Sequence, residues 1–352
     1  MNLTTLRVAA LALLACFSVL RAAAQPSVQA PLPAPAASAA AAMDAETQSL
    51  HDWLRQMHEA AKNRRYAGTF VVSSGGAMSS AKIWHVCEGS QQIERIETLS
   101  GAPRSTFRHN DQVITFLPEH KLARREKRQS LGLFPEGFQS ADSRIADFYK
   151  FRRGGTERVA GVQADVSLLL PKDALRFGYR VWTERKSGLV VKLQTLDIDG
   201  RVLAQAAFSE LQLNAPIKMD KLLLMMNKVE GYRLEKPVLL KTTADLQGWA
   251  LSAPVAGFKS VSCYKRPAGV AGVASTAAPG DEALQWVFSD GLASVSIFVD
   301  LHDPRSELQE ASFSMGATQA LTRQLDAYRI TVIGEVPMAT LQLFANGVTH
   351  KK

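Results

Sequence analysis

The stretch from Asp44 to Ser74 constrains this chain more than any other, because it reads as one helix running directly into one strand. Leu50, Trp53, Leu54, Met57, Ala60 and Ala61 recur at steps of three and four, which places them on one face of an α-helix. The pattern stops at Asn63-Arg64-Arg65, where basic side chains suit the negative end of the helix dipole. Tyr66 to Val72 is then aromatic and β-branched, and it closes at Ser73-Ser74-Gly75-Gly76, a strand and its turn. A long series of strand patterns follows. The apolar face of the helix needs a cover, and the expected architecture is a sheet that curls around it.

The strand patterns come with local punctuation. Lys82–Cys87, Ile93–Leu99, Ser105–Arg108, Val113–Leu117 and Lys121–Arg128 are separated by Gly, Asn-Asp and Pro breaks. A loop is expected over Leu131–Phe138 and a short helix within Asp142–Phe151. Long strands are then expected near Glu157–Leu170, Arg176–Glu184 and Leu189–Asp197. Asp199-Gly200, a strong hairpin signal, leads into a last strand over Val202–Leu213. Roughly ten strands with local connections make a large antiparallel curved sheet or partly closed barrel, because the helical crossovers of parallel βαβ units are missing.

Residues 214–247 lose this rhythm and read as a linker, whose apolar cluster Leu222–Met226 is expected to pack on one domain, with a partner-binding strip as the alternative. A smaller α+β domain is expected over residues 248–349. Its strands fall near Gly248–Ser252, Phe258–Arg266, Leu284–Phe288, Ala293–Leu301 and Arg329–Val332. Helices are expected over Thr318–Tyr328 and Val336–Val348, the second with Pro337 in its first turn. The fold class is therefore α+β, with the large sheet domain over residues 44–213 and the small domain behind the linker.

Upstream, residues 1–24 have the form of a signal peptide. Arg7 ends a short basic region, Val8–Leu20 is apolar, and Ala22-Ala23-Ala24 offers a cleavage site. A competing reading takes Leu13-Leu14-Ala15-Cys16 as a lipoprotein box with Cys16 acylated. Residues 25–43, Pro- and Ala-rich and nearly uncharged, read as a disordered tether. Without Arg7 and Arg21 the formal charge falls from +8 to about +6, a weak preference for anionic partners. No nucleic-acid signature is present. Cys87 and Cys263 lie in different expected domains and either pair or stay as buried thiols.

Catalytic patterns are missing: no H-E-x-x-H, no G-x-S-x-G and no P-loop. His51 and His58 share a helix side without a carboxylate or metal-ligand spacing, and Asp197 and Asp199 serve the hairpin. The chain is therefore read as a binding protein, not an enzyme, with no cofactor and no metal. What it offers is shape. If one helix does not fill the curved sheet, an apolar cavity remains, with Phe70, Val72, Ile83, Ile96, Val113, Phe116, Leu168 and Trp182 as candidate lining. A filled core is the plainer alternative. The basic run Lys121, Arg124, Arg125, Lys127 and Arg128 is either a charged edge strand or a mouth that attracts anionic headgroups.

Several motifs, taken in order, carry a resemblance. They are Tyr66-Ala67-Gly68-Thr69-Phe70, Glu94-Arg95-Ile96, Leu99–Arg104, Phe116-Leu117-Pro118, Arg158–Gly161 and Arg176–Trp182. Further on come Gly257-Phe258, Asp290–Phe298 and Val332–Pro337. In this order the chain resembles the RseB/MucB family of periplasmic sigma-E regulatory proteins. The resemblance implies a LolA/LolB-like half-barrel around helices and a C-terminal domain that grips the periplasmic part of a transmembrane anti-sigma factor. It also implies protection of that factor from site-1 proteolysis, release by lipopolysaccharide or mislocalised acylated lipoprotein, and residence in the periplasm. A lipid or lipoprotein carrier is the alternative function. Self-association stays open.

Overall fold

The computed structural model describes residues 35–127, 144–267, 282–302 and 310–351. The leader, the Pro/Ala stretch before Pro35, the Leu131–Phe138 loop and Arg128 lie outside the described residues. Apart from the first residues of helix α1 (Pro35–Asn63), everything below belongs to the compact unit Met43–Lys352. α1 begins inside the stretch read as a tether. Pro35 sits at its start, where a missing N–H costs nothing, and alanines follow. Leu50, Trp53, Leu54, Met57 and Ala60 are buried as their spacing requires, whereas Ala61, in the last turn, is exposed.

The strands β1 (Tyr66–Ser74), β2 (Ala77–Glu88), β3 (Gln91–Thr98), β4 (Ser105–His109), β5 (Gln112–Leu117) and β6 (Leu122–Lys127) form one antiparallel meander. After the short helix α2 (Ile145–Phe148) come β7 (Tyr149–Val159), β8 (Val162–Pro171), β9 (Gly178–Glu184), β10 (Val190–Leu196) and β11 (Val202–Leu213). β11 returns to pair with β1, so the two meanders merge into one large sheet. One expectation fails here. The single strand read over Glu157–Leu170 is the hairpin of β7 and β8, turned at Ala160 (φ 46°) and Gly161 (φ 85°). Alanine carries no turn signal, and its left-handed backbone is imposed by the pairing of the flanking strands.

The expected linker is structured. Helix α3 (Met219–Asn227) buries Met219, Leu222 and Met226 against Val86, Ile93, Phe107, Ile114, Phe116 and Ala123. Strand β12 (Arg233–Glu235) then adds to β6 in parallel and brings the first sheet to twelve strands. Next come β13 (Leu240–Lys241), β14 (Trp249–Leu251), β15 (Lys259–Pro267), β16 (Glu282–Ser289), β17 (Ser294–Leu301), β18 (Ala311–Met315), β19 (Thr318–Leu325) and β20 (Tyr328–Gly334). Helix α4 (Met338–Gly347) and β21 (Val348–His350) end the described chain. The second sheet has the order β13-β15-β16-β17-β20-β19-β18, and β14 pairs separately with β21.

The helix expected over Thr318–Tyr328 is a correction: that segment is β19, held between β18 and β20. Leu321 and Leu325 mimic helical spacing, but Thr318 and Thr322 disfavour a helix, and two flanking ladders decide the outcome. α4 matches its expectation, except that Pro337 caps the helix from just outside it. Leu341, Phe344 and Ala345 press into a core with Val295, Ile297, Ile330 and Val332.

Cys87 and Cys263 are both free thiols, on β2 of one sheet and β15 of the other. Burial pushes the Cys263 thiol up to about 11 from its ordinary 9.0. Because an unfolded chain loses that proton first, the resulting stabilisation is complete below about pH 9 and disappears as pH rises through about 11. Alkylation of native protein near pH 8 should leave Cys263 unmodified, with labelling only after denaturation. Equal labelling rates in folded and unfolded protein would contradict this burial.

Candidate functional site

Residues paired across an antiparallel ladder point to the same side, so the registers sort the candidate residues by face. Gly68 pairs with Ile83, Ile83 with Ile96, Ile96 with Thr106, Thr106 with Thr115, and Thr115 with Arg124. Phe70 and Val72 continue this face along β1, and Val113 lies on it opposite Arg108. α1 covers the same face farther along: Val72 pairs with Ala206, Ala206 with Leu193 and Leu193 with Val181, and the last two pack beside Trp53 and Leu54. The helix therefore fills the β7–β10 half. Over β3–β5 the face is lined by Ile96, Thr106, Thr115 and the buried pair Arg108–Glu94 (3.0 Å). Tyr66 and His85 also belong to this face, stacked with ring centroids 5.1 Å apart, and His85 Nδ1–H donates to Arg64 O at 2.7 Å. Burial holds the Tyr66 hydroxyl well above its usual pKa, and the Glu94 carboxylate adds to the effect.

The remaining candidates are Phe116, Trp182 and Leu168. Phe116 packs on the opposite face beneath α3. Trp182 joins the buried cluster of Phe70 and Ile83, with its indole N–H donating to Glu157 Oε2 at 2.8 Å. Leu168 is half-buried and opposite Arg180, out of phase with Leu169, which meets α1. Strand alternation also divides the basic run. Arg124 shares the face of Ile83 and Ile96 and reaches Glu235 at 3.4 Å, whereas Arg125, opposite Ile114, and Lys127, opposite Gln112, take the α3 face.

A second place was not anticipated from chemistry, the seam between the two sheets. Arg176, in the β8–β9 loop, is fully buried there. Its Nε donates to Asp290 Oδ2 at 2.5 Å, Nη2 donates to Ala256 O at 2.6 Å, and Nη1 binds Asp173. The guanidinium also lies over Phe148 (4.3 Å) and Phe258 (5.0 Å). Asp290, equally buried in the β16–β17 turn, accepts further bonds from Leu292 N, Ala293 N and the Tyr149 hydroxyl. Gly257 has φ +84°, and a Cβ there would stand 2.1 Å from Arg176 Nη2, so only glycine fits. Thr340 of α4 donates to Leu175 O at 2.9 Å. Burial raises the hydroxyl pKa values of Tyr149 and Tyr179, so both stay protonated.

Elsewhere along the seam, hairpin tips meet. Ser74 Oγ donates to Met315 O at 3.1 Å, and Gly75 packs on Gly316 with no room for a Cβ. Beside this contact lies an open groove of about 700 Å³, lined by Ser73, Gln194, Val202, Gln205, Ser314 and Gly316 among others. Arg176, Gly257-Phe258 and Asp290 all belong to the ordered motifs noted in the sequence. Their shared destination was the missing signal.

Breaking the pair from one side should be costly. Asp290→Asn leaves a buried guanidinium short of its charge partner, and we predict a loss of about 3–5 kcal/mol in chemical denaturation. Replacing both partners with apolar residues should recover part of that loss. A loss below about 1 kcal/mol would show the pair to be dispensable.

Comparison with known proteins follows the same division. The model of the MucB/RseB N-terminal domain matches residues 49–226, and that of the MucB/RseB C-terminal domain matches residues 243–349. The sigma factor AlgU regulatory protein MucB of Pseudomonas aeruginosa is 28% identical, over 84% of this chain and 89% of its own. The sigma-E factor regulatory protein RseB of Haemophilus influenzae is 25% identical, over 87% of this chain and 93% of its own. A crystal structure of MucB in complex with MucA(peri) superposes with a TM-score of 0.65 at 25% identity, covering 86% of this chain and 98% of that one.

Proposed function

We propose a function from one established premise: this chain belongs to the MucB/RseB family. It acts in the periplasm as a negative regulator of the sigma-E envelope stress response. It binds the periplasmic part of a transmembrane anti-sigma factor and shields that part from site-1 proteolysis. Lipopolysaccharide or a mislocalised acylated lipoprotein, bound by the first sheet, releases it.

One observation carries this reading. Leu292, next to the clasp in the β16–β17 turn, is buried in the same cluster as Leu50, Trp53, Leu54 and Met57 of α1. The helix that fills half of the first sheet's face thus also supports a turn of the second sheet. An acyl chain that enters beside Ile83, Ile96 and Val113 competes for space with that helix, and its displacement reaches Asp290 through Leu292. Two ligands that prefer different arrangements of one element weaken each other by the same factor. Arg124 serves the anionic headgroup, being the described residue of the basic run that shares the lining's face. The neutral groove beside Gly316 lies where a bound polypeptide would touch both sheets.

The half-covered face also favours a second reading, a lipid or lipoprotein carrier. The two readings part on proteolysis. With purified mature protein present, site-1 cleavage of the cognate anti-sigma segment should slow, and added lipopolysaccharide should restore it. Equal cleavage rates with and without the protein would contradict regulation and leave the carrier. In a lipid-binding assay, Arg124→Glu should weaken binding of an anionic lipid several-fold while Arg125→Glu leaves it nearly unchanged. Equal effects of the two substitutions would remove the headgroup role from Arg124.

A further inference from the structure

Val238, Leu239 and Leu240 are consecutive and all exposed, on the segment that leaves β12 and enters the second sheet as β13. The hydrogen bonding of β13 fixes the direction of its backbone groups. Thr242 N donates to Cys263 O at 3.0 Å, and Leu240 stands opposite Lys265. Alternation in an antiparallel ladder then aims the N–H and C=O of Leu240 and Thr242 at β15, and those of Leu239 and Lys241 away from it. β13 is the last strand on its side of the sheet. Its outward groups therefore meet no further strand among the described residues.

The charge around this edge is unbalanced. Lys236 and Lys241 are exposed and form no ion pair among the described residues. Among the described residues, Glu235 is engaged by Arg124 and Arg233, Asp245 by Lys351, and Glu282 by Lys265. What remains is positive charge beside an aliphatic strip with open backbone donors and acceptors.

We propose that the β13 edge is a strand-addition site for an extended, acidic segment of a partner polypeptide, one that alternates aliphatic and acidic residues. The incoming aliphatic side chains lie along Val238 and Leu240, and the carboxylates reach Lys241 on the other face. Pro237, lacking an N–H, limits the ladder at its upstream end. A second copy of this chain is disfavoured, because pairing two β13 edges sets like charges together. A lipid surface is disfavoured too, since the outward backbone groups of Leu239 and Lys241 would lose water without gaining partners. The proposal goes beyond the regulatory reading and does not depend on it.

The test uses the full mature chain and a short end-blocked peptide alternating Val and Glu, followed by fluorescence anisotropy. The expected result is saturable binding that weakens as salt rises, and that falls at least tenfold for Leu240→Lys, for Lys241→Glu and for a Val/Lys peptide. In the unaltered protein, peptide should slow amide exchange at Leu239 and Lys241. Exchange unaffected by saturating peptide, or equal affinity for the Val/Glu and Val/Lys peptides, would overturn the proposal. So would an absence of peptide binding together with sedimentation on phosphatidylglycerol vesicles that the same substitutions abolish, which would make this edge a lipid surface.

Discussion

A guanidinium group cannot be buried without a matched set of acceptors, and Arg176 recruits that set from several separate parts of the chain. Asp173 lies on its own loop, Ala256 before β15, and Asp290 at the β16–β17 turn. Phe148 and Phe258 close over its faces, and Gly257 gives it room. Asp173 is close to Arg176 in sequence and Ala256–Phe258 is one run, but Phe148, that run and Asp290 are far apart along the chain. The desolvation cost of the charge is offset only when all are in place, so the clasp specifies one arrangement of the two sheets rather than adding much net stability.

The consequence for function lies in what stands beside the clasp. α1 buries its apolar stripe on the first sheet, yet the cluster it forms includes Leu292 of the second. The helix is at once a plug and a prop. Over β3–β5, Ile96, Thr106, Thr115 and Arg124 are only partly buried, whereas Ile83, Val113 and the Glu94–Arg108 pair on the same face are buried. On the proposed reading, an amphiphile bound at that half would displace α1, and the clasp beside it would carry the displacement to the seam.

Much of this was legible in the sequence because short-range signals and long-range packing agree there. The helix-to-strand junction at Asn63–Tyr66, the Asp199-Gly200 hairpin and α4 all follow from local pattern. Asp197 shows the agreement in detail, its carboxylate accepting from the backbone N–H groups of Asp199 and Arg201. The failures have a common cause, backbone states set by neighbours. Ala160 turns left-handed because the β7–β8 ladder requires it. Thr318–Leu325 is a strand because β18 and β20 flank it. α3 escaped notice because its nine residues have a stripe too short to assert a period. The clasp was hidden differently: Arg176 and Asp290 are 114 positions apart, and nothing in either neighbourhood announces a buried charge.

The account depends on coupling between the half-open face of the first sheet and the seam with the second. Its most direct measurement is calorimetric titration of the mature protein with the anti-sigma segment, with and without a saturating acylated ligand, repeated with the order of addition reversed. The account predicts that each ligand lowers the affinity for the other by the same factor, on the order of 5- to 150-fold. Affinities that stay unchanged in both orders would contradict it, whatever each ligand does alone.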